Sequence, residues 1–438
     1  MYVSTQSMIR NTLGYISKNN EEKDLRRKRI VTGQRVFTAM DDPSAEAISR
    51  RMRYDLLAID QAMQNTQNNH SMLKVAHGAM ESTKGLLTAI KEKAIYAAND
   101  SVSDSDRQIV QKEINDFIAQ IDYNTGTTYN GKYLIDGSHR RPTDGTIQAL
   151  TNQQLSELTT TVTMLVELQD RNGEYLEIKD TDRIDISYVK DAKTYSTSYL
   201  VGDTTLQDVI DRTNSLNDEV FNQTYTTAFV GIDAGGAKIF TSDNKNAITL
   251  RSVGVGVEHS VGGFTLSIQD SQGNIKKATN AKLDAFYETI TPRDLARGNL
   301  LSTQTAEKAN RKVDIDFNDL SSIALGLKSV DKESVLSVAT KTEANAAIRV
   351  ADTALQRVTD ELTKAGAMMA RLEYTAANLT TYEENLTAAD SNNVDADIAK
   401  EMLEYTKADI NVQEADAMLQ FLARSSRENI EMYMRFIP

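Results

Sequence analysis

Residues 344–386 read ANAAIRVADTALQRVTDELTKAGAMMARLEYTAANLTTYEENL, and their apolar residues recur at alternating steps of four and three. The pattern continues for roughly six heptads without proline, which predicts one continuous helix with a coiled-coil seam. At about 1.5 Å per residue, this helix spans about 65 Å. A helix of this length cannot bury its apolar stripe alone, so it requires partner helices in water. Among the packing positions expected in this seam are Leu355, Val358, Leu362, Met369 and Leu372.

A second, looser seam lies near the other end of the chain, between Met52 and Ala94. Polar side chains, including His70 and His77, occupy some of its positions. If the two seams pair antiparallel, both chain termini lie at the same end of the rod that they form. The packing positions expected in this second seam are Leu56, Ile59, Met63, Leu87 and Ile90.

Between the seams, helical periodicity gives way to short alternating runs such as IDISYV (184–189) and FTLSIQD (264–270). Such runs, separated by turn signals, are typical of strands. The sequence therefore predicts a mainly α fold, in which N- and C-terminal segments form a long antiparallel coiled-coil rod with an inserted α+β domain. The expected boundaries are terminal helices at 1–43 and 394–438, a helical rod at 44–140 and 293–393, and an α+β insert at 141–292.

Three local features add detail to this division. Residues 204–216 (TTLQDVIDRTNSL) form the clearest helix of the insert, with Asp203 or Thr204 as its expected cap. The polar cluster TAADSNN (387–393) is expected to interrupt the second rod helix. The stretch 293–340 is polar and compatible with helix, and we expect it to lead into the C-terminal seam.

Composition limits the classes of function. The chain has 438 residues with 40% hydrophobic side chains, which suffices for sizeable cores. A net charge of −13 argues against nucleic acid as a main partner, with the basic run Arg26–Arg29 as a local exception. The absence of cysteine excludes disulfides and cysteine-ligated metals. The N-terminus lacks a signal-peptide core, and no window is apolar enough to span a membrane.

Motifs for catalysis or metal binding are weak. His70 and His77 lie two helical turns apart, about 10 Å, which disfavours one shared ion. Gly254 and Gly256 supply only half of a dinucleotide fingerprint, and a turn or bulge explains them better. The sequence therefore predicts no catalytic residue, no cofactor and no metal site. An enzyme within the insert stays a minor alternative.

Three blocks of the sequence are similar to conserved blocks of the bacterial flagellin family. VTGQRVFTAMDDPSAEAISRRM (31–52) resembles the family's first block, TTYNGKYLIDGS (127–138) the block that closes its N-terminal rod, and residues 370–410 its C-terminal signature. The resemblance covers roughly the first 138 and the last 100 residues. The motif residues that carry the first block are Arg35, Asp41, Asp42, Pro43, Ile48 and Arg51.

This resemblance implies a structural subunit that polymerises into an extracellular bacterial flagellar filament. The terminal helices would form the inner tube, the two seams and the helix that begins near Ser105 a surrounding rod layer, and the insert an outer domain. Implied partners are many copies of the same chain, the flagellar export apparatus, an export chaperone, the filament cap and hook-associated proteins. The family's hook–filament junction protein is the alternative, because the opening MYVSTQSM resembles it and the C-terminus lacks a Gln-Ala-Asn stretch.

Flagellins are also recognised by a Toll-like innate receptor, through a segment that matches Leu87–Asn99 and Glu113 here. By this resemblance, Lys91, Glu92 and Glu113 fit the recognised pattern. Ala89 and Lys93 depart from it, because the well-recognised pattern has arginine and leucine there. Weak recognition is therefore expected.

Overall fold

The structure is a computed structural model that describes residues 2–217 and 220–435. Its α-helices are α1 (Tyr2–Thr32), α2 (Pro43–Ala97), α3 (Asp104–Thr125), α4 (Leu206–Asn214), α5 (Lys277–Leu283), α6 (Lys341–Val394) and α7 (Ile398–Arg435). Its strands are β1 (Thr128–Tyr129), β2 (Lys132–Tyr133), β3 (Ile147–Asn152), β4 (Arg183–Lys190), β5 (Lys193–Leu200), β6 (Phe221–Thr227), β7 (Phe229–Ile232), β8 (Lys238–Phe240), β9 (Ala247–Val255), β10 (Gly262–Gln269), β11 (Phe286–Ile290), β12 (Leu301–Gln304) and β13 (Lys312–Ile315). Long helices thus flank an inserted sheet region, and the predicted fold class is confirmed.

The chain divides into two compact units. The first unit comprises Met1–Gln64, Thr305–Arg311 and Thr375–Pro438, and the second comprises Asn65–Gln304 and Lys312–Tyr374. Helices α2 and α6 each contribute residues to both units. The three-layer division expected from the sequence has boundaries elsewhere, and it stays a prediction.

In the first unit, α1 packs against α7. Ion pairs link Lys23 to Asp409 and Arg26 to Glu401, so the two helices run antiparallel. A smaller apolar contact joins α2 to α6, where Ile59 packs with Leu379. The apolar clusters of this unit are small, so much of its helical surface stays open to solvent.

The second unit has a large helical core. Helices α2, α3 and α6 contribute buried residues such as Leu87, Ile114 and Val358 to one apolar cluster. Ser103 caps α3 by accepting a hydrogen bond from the Asp106 backbone N–H. This core is the tertiary contact that a long amphipathic helix needs to be stable in water.

Residues 293–340 contain no helix, so the helical character expected for this stretch is wrong. They form the antiparallel hairpin β12–β13 followed by turns, and they supply buried residues to the helical core. The turns require positive φ at Asn310, Gly326 and Lys332, a conformation that interrupts a helix. The buried contributions are Leu301, Val313, Ile315, Phe317, Leu320, Leu325, Leu327, Leu336 and Val338.

The insert contains two antiparallel sheets and a separate hairpin. The sheet orders are β10–β4–β5 and β11–β3–β9–β6, and β7 pairs with β8. Inward side chains such as Ile186 and Leu250 form a second apolar cluster with α4. The α4 cap is Thr205, which forms a reciprocal capping box with Asp208. The expected cap at Asp203 or Thr204 is therefore wrong.

The polar cluster 387–393 does not interrupt its helix, because α6 continues through Val394. None of these residues is glycine or proline, so polarity alone does not end the helix. Helix α7 begins after Asp397, whose side-chain oxygen accepts a hydrogen bond from the Lys400 backbone N–H. The chain reversal therefore lies at residues 395–397.

Candidate assembly surface on the terminal helices

The predicted seam positions face inward. In the second unit, Leu87, Ile90, Val358, Leu362 and Leu372 are buried in the helical core, and Leu355 and Met369 pack against it. In the first unit, Ile59 is buried, Met63 packs beside it, and Leu56 is half-buried. The predicted seam side chains are thus buried or half-buried in both units, and their role in rod packing stays a prediction.

Two chain reversals bind each other in the first unit. The Arg35 backbone N–H donates to the Val394 carbonyl at 2.7 Å, and the Ala396 N–H donates to the Gly33 carbonyl at 2.8 Å. The Arg35 guanidinium also donates to the Asn393 carbonyl at 2.8 Å. Gly33 has a φ of 71°, which favours glycine at the end of α1. The α1–α2 reversal is therefore paired with the α6–α7 reversal.

The two aspartates of the first flagellin-like block hold the α1–α2 reversal. Asp41 accepts hydrogen bonds from the backbone N–H groups of Phe37 and Thr38, and Asp42 accepts one from Ala45. Bonds from Thr38 to Asp41 and from Ala45 to Asp42 lower the pKa of both carboxyl groups. Asp42 is thereby placed as the cap of α2, which starts at proline as predicted.

The other motif side chains are more exposed or make weaker contacts. Pro43 is the first residue of α2, while Ile48 and Arg51 are exposed. Arg35 Nη1 lies 4.0 Å from Asp42 Oδ2, at the limit of an ion pair. The structure therefore brings Arg35, Asp41, Asp42 and Pro43 together at the reversal, and it leaves Ile48 and Arg51 on the open face of α2.

The basic run at the end of α1 is partly neutralised within the chain. Arg26 Nη1 lies 2.9 Å and Arg29 Nη1 lies 3.2 Å from carboxylate oxygens of Glu401, whose side chain is 7% exposed. Burial alone raises the pKa of Glu401, but the bonds and charges of both arginines outweigh it, so the pKa is lowered. These arginines thus have a structural role in joining α1 to α7.

Apolar side chains remain exposed along both terminal helices. From residue 6 to residue 32, no side chain of α1 is buried, and Val31 is 78% exposed. On α7, Leu403 and Phe421 are 65% and 66% exposed. Further exposed apolar side chains on these helices are Met8, Leu13, Tyr15, Ile398, Met402, Ile410, Met418 and Met432. Two long helices with this much open apolar surface are typical of chains that associate.

The residues of the receptor-like segment form ion pairs on the helical surface of the second unit. Lys91 Nζ lies 2.5 Å from Asp352 Oδ1, and Lys93 binds Glu113. Glu92 is exposed. Lys91, Lys93 and Glu113 are therefore already paired within the chain.

The structure adds three ion pairs of α6 that sequence reasoning missed. Arg349 and Arg357 of α6 form ion pairs with Asp284 and Glu288 of the insert. About two helical turns further along α6, Lys364 Nζ lies 2.7 Å from Asp316 Oδ2. Spacings of eight and seven residues place the three basic side chains on one face of α6. This spacing is the feature of the sequence that could have predicted a charged contact face.

Chemistry beyond packing has little support among the residues that the structure describes. These residues contain no group of three histidine or acidic side chains placed to hold a metal ion. His70 Nε2 lies 3.4 Å from Glu373 Oε1, and His139 Nδ1 lies 2.9 Å from the Asn299 carbonyl. None of the helices in the described ranges combines the length and apolar content of a membrane span.

Long terminal helices with open apolar faces, joined by paired reversals, define a self-assembling structural protein. The chain matches the bacterial flagellin N-terminal helical region over residues 3–140 and the C-terminal helical region over residues 348–428, which together make up half of it. The chain belongs to the bacterial flagellin family. That family is structural, so the chain is not an enzyme.

Relatives extend over nearly the full length. The chain is 26% identical to the flagellin of Clostridium tyrobutyricum, covering 96% of this chain and 98% of that protein. It is 24% identical to the flagellin of Bacillus subtilis (strain 168), covering 97% of each. Among solved structures, the flagellar junction protein FlgL from Legionella pneumophila matches at 14% identity with a TM-score of 0.33, covering 79% of this chain and 99% of that one.

Proposed function

We propose that the chain is a structural subunit of the bacterial flagellar filament, outside the cell, and that it polymerises through α1 and α7. The observation that carries this proposal is the exposed apolar surface of these two helices, with Val31, Leu403 and Phe421 each more than half exposed. Burying such surface between copies supplies a favourable free energy of roughly 25 cal/mol per Å². Contacts that repeat head to tail without closing a ring produce a helical filament.

Electron microscopy of the purified chain, warmed at neutral pH, tests the filament assignment. We expect long filaments from the chain alone. A hook–filament junction protein is needed in few copies, so rings or short assemblies that stop growing would favour that alternative. A chain that stays monomeric under these conditions would contradict self-polymerisation.

A pair of matched variants tests the role of the terminal helices. Phe421→Asp places a charge on the exposed face of α7, and Leu158→Asp makes the same change on the insert, where Leu158 is 79% exposed. We expect the first variant to abolish filaments and the second to leave them intact. Circular dichroism checks that both monomers keep their helix content. Normal filaments from Phe421→Asp would contradict the proposal.

The inner tube, rod layer and outer domain are proposed for residues 1–43 with 394–438, 44–140 with 293–393, and 141–292, respectively. Support comes from the burial of the seam side chains and from the lack of buried side chains on α1 between residues 6 and 32. Limited proteolysis of filaments tests the layers, since cleavage should begin between 141 and 292 and should reach the termini last. Early loss of a terminal helix from intact filaments would contradict this order.

Assembly with other flagellar proteins follows from the family. We further infer export through the flagellar secretion apparatus, with a chaperone that covers the exposed apolar side chains of α7 before assembly. Pull-down of cellular proteins on the C-terminal segment, compared with a Phe421→Asp segment, tests the chaperone. Equal capture by both segments would argue against recognition of the apolar face.

Innate-receptor contact through Lys91, Glu92 and Glu113 is proposed to be weak. Lys91 and Glu113 are engaged by Asp352 and Lys93, so a receptor must compete with existing ion pairs. A cell reporter compared with a fully matching flagellin tests this. An equally strong response to this chain would refute weak recognition.

A further inference from the structure

Strand β5 leaves one side of a sheet unpaired. It lies at the edge of the order β10–β4–β5, and within residues 2–217 and 220–435 no strand pairs with its outer side. Natural edge strands are usually protected by charges, prolines or bulges, because their free N–H and C=O groups can pair with another chain. After Lys193, the rest of β5 (TYSTSYL, 194–200) has none of these devices.

The hairpin geometry identifies which backbone groups point outward. Lys190 pairs with Lys193 across a two-residue turn, in which Asp191 and Ala192 both have positive φ. In such a turn the flanking pair is hydrogen-bonded, so odd-numbered residues of β5 bond to β4. The Val201 N–H donates to the Asp182 carbonyl at 2.8 Å, which agrees with this parity.

The even-numbered residues therefore present their N–H and C=O groups to the open side. These residues are Thr194, Ser196, Ser198 and Leu200. Turn and loop hydrogen bonds of the described chain do not involve their backbone groups. Ser196, Ser198 and Leu200 also have exposed side chains. The outer edge of β5 is accessible to an incoming strand.

The edge strand is palindromic about Thr197, so antiparallel pairing with a second copy about that residue would place serine opposite serine and tyrosine opposite tyrosine, and such cross-strand pairs stabilise a sheet. Residues 195–199 read YSTSY, which is the same in both directions. We propose that β5 pairs antiparallel with β5 of a second copy of this chain, about a two-fold axis at Thr197. Ser196 then faces the second copy's Ser198 as a hydrogen-bonded pair, and Thr197 faces its own counterpart in a non-hydrogen-bonded pair.

The same register gives the exposed apolar end of the strand a partner. Leu200 is 67% exposed at the end of β5. It faces Thr194 of the other copy, which lines an open cleft of about 440 Å³ together with Tyr195 and Val335. The rest of the cleft is mainly polar, with Lys193, Ser334, Ser337 and Glu343 in its lining, so the partner of Leu200 in this register is the cross-strand Thr194. This contact uses only the insert and does not depend on α1 or α7.

A single cysteine at the two-fold axis tests the register in the full-length chain, which has no other cysteine. Facing residues of a non-hydrogen-bonded pair have Cα atoms about 4.5 Å apart, within the range of a disulfide. Thr197→Cys should therefore give a covalent dimer under mild oxidation. Non-reducing electrophoresis measures the yield, and peptide mass spectrometry should identify a bond between two copies of position 197.

Ser196→Cys is the matched control. Position 196 faces position 198, so the two 196 Cα atoms lie about 7–8 Å apart, too far for a relaxed disulfide. We expect its dimer yield to be at least roughly fivefold lower than that of Thr197→Cys. Equal yields from the two variants would indicate random collision and would overturn the proposal. A cross-link to a different protein would overturn the choice of a second copy as the occupant.

Proline at the outer edge tests the hydrogen bonds. Ser196→Pro removes an outward N–H and leaves the β4–β5 ladder intact, whereas Thr197→Pro breaks that ladder. Combined with Thr197→Cys, Ser196→Pro should abolish the cross-link at unchanged circular dichroism. Ser196→Lys is a second test in case the proline variant misfolds. It adds a charge without altering the backbone, and it should also reduce the yield of the cross-link. A cross-link that persists in both folded variants would refute pairing through this edge.

Discussion

Lys91 Nζ lies 2.5 Å from Asp352 Oδ1, which joins α2 to α6 in the second unit. His70 precedes Lys91 by 21 residues, and its contact Glu373 follows Asp352 by 21 residues. An equal advance in opposite directions is the signature of antiparallel helices in constant register. Twenty-one residues are three heptads, so these two contacts repeat with the period of the apolar seams.

Leu362 provides a test of the seam. Its side chain is 7% exposed within the helical core. Replacing a buried leucine by alanine costs about 2–5 kcal/mol, and an unpaired buried carboxylate costs more, so Leu362→Asp should unfold or strongly destabilise the second unit. Urea unfolding followed by circular dichroism measures the loss.

Ala367→Asp is the control, because it adds the same carboxylate at an exposed position of α6. We expect its unfolding midpoint to stay close to that of the unmodified chain. A small effect at Leu362, similar to that at Ala367, would show that α6 does not depend on the seam for stability.

Glu401 should make the α1–α7 contact sensitive to acid. Its pKa is lowered in the folded chain, so its stabilising contribution is present above the pKa of about 4.3 of an unfolded glutamate. That contribution is lost as the pH falls through the folded value. Hydrogen exchange of α1 and α7 should therefore accelerate as the pH is lowered below about 4, once corrected for intrinsic rates.

Glu401→Gln should weaken the same contact at neutral pH. Hydrogen bonds to charged groups contribute roughly 1.5–3 kcal/mol, and Gln cannot match both arginines. Exchange in α1 should be faster at pH 7 and should lose most of its acid dependence. Glu414→Gln, an exposed change on the same helix, is the control. Unchanged protection in Glu401→Gln would contradict a structural role for this ion pair.

Sequence reasoning succeeded where local chemistry decides the structure. The start of α2 was predictable because Asp42 and Pro43 supply the cap and the first-turn proline at neighbouring positions. The C-terminal end of α6 was harder to predict. Polar residues 387–393 lower apolar content without terminating a helix, so composition gave the wrong boundary. Side-chain hydrogen bonds at Asp397, rather than polarity, mark the restart.

Contacts between distant residues could not be predicted in the same way. Residues 313–338 bury many apolar side chains, but they follow neither a helical nor a strand period because turns separate them. Arg349 binds Asp284, 65 positions earlier in the chain. Only the folded insert places that carboxylate beside α6. The local sequence pattern likewise does not identify the partners of the terminal helices. It indicates only that these helices have apolar faces.

Asp284 should give the second unit an opposite response to pH. Burial raises the pKa of Asp284 to about 6, although the charge of Arg349 and a hydrogen bond from Leu266 lower it. For an acid with a raised pKa, the folded chain binds more protons than the unfolded chain between about 3.9 and 6. The contribution of Asp284 to stability is therefore present at low pH and is lost as the pH rises through about 6.

The measurement is the urea midpoint of the unmodified chain and of Asp284→Asn between pH 4 and 7. The aspartate form should lose stability relative to the asparagine form as the pH rises, and Asp144→Asn, an exposed change, should follow the unmodified chain. Parallel profiles for all three proteins would show that Asp284 does not titrate in this range.

Deletion of residues 145–290 tests whether the insert is needed for assembly. The segments entering and leaving the insert already meet, since Thr143 and Ala296 exchange two backbone hydrogen bonds of 3.0 Å. A short junction can therefore replace the deleted segment without moving the helices. Arg349 and Arg357 lose Asp284 and Glu288, but both are then at the surface, where water can solvate them.

We expect the deletion variant to form filaments on electron microscopy, because α1, α7 and the paired reversals are unchanged. It should at the same time lose the β5 cross-link, since that strand is removed. A matched variant that keeps the insert but carries Phe421→Asp should show the reverse, with no filaments and a retained cross-link after Thr197→Cys is added. If the deletion variant stayed monomeric, part of the assembly surface would lie on the insert, because the terminal helices are identical in both chains.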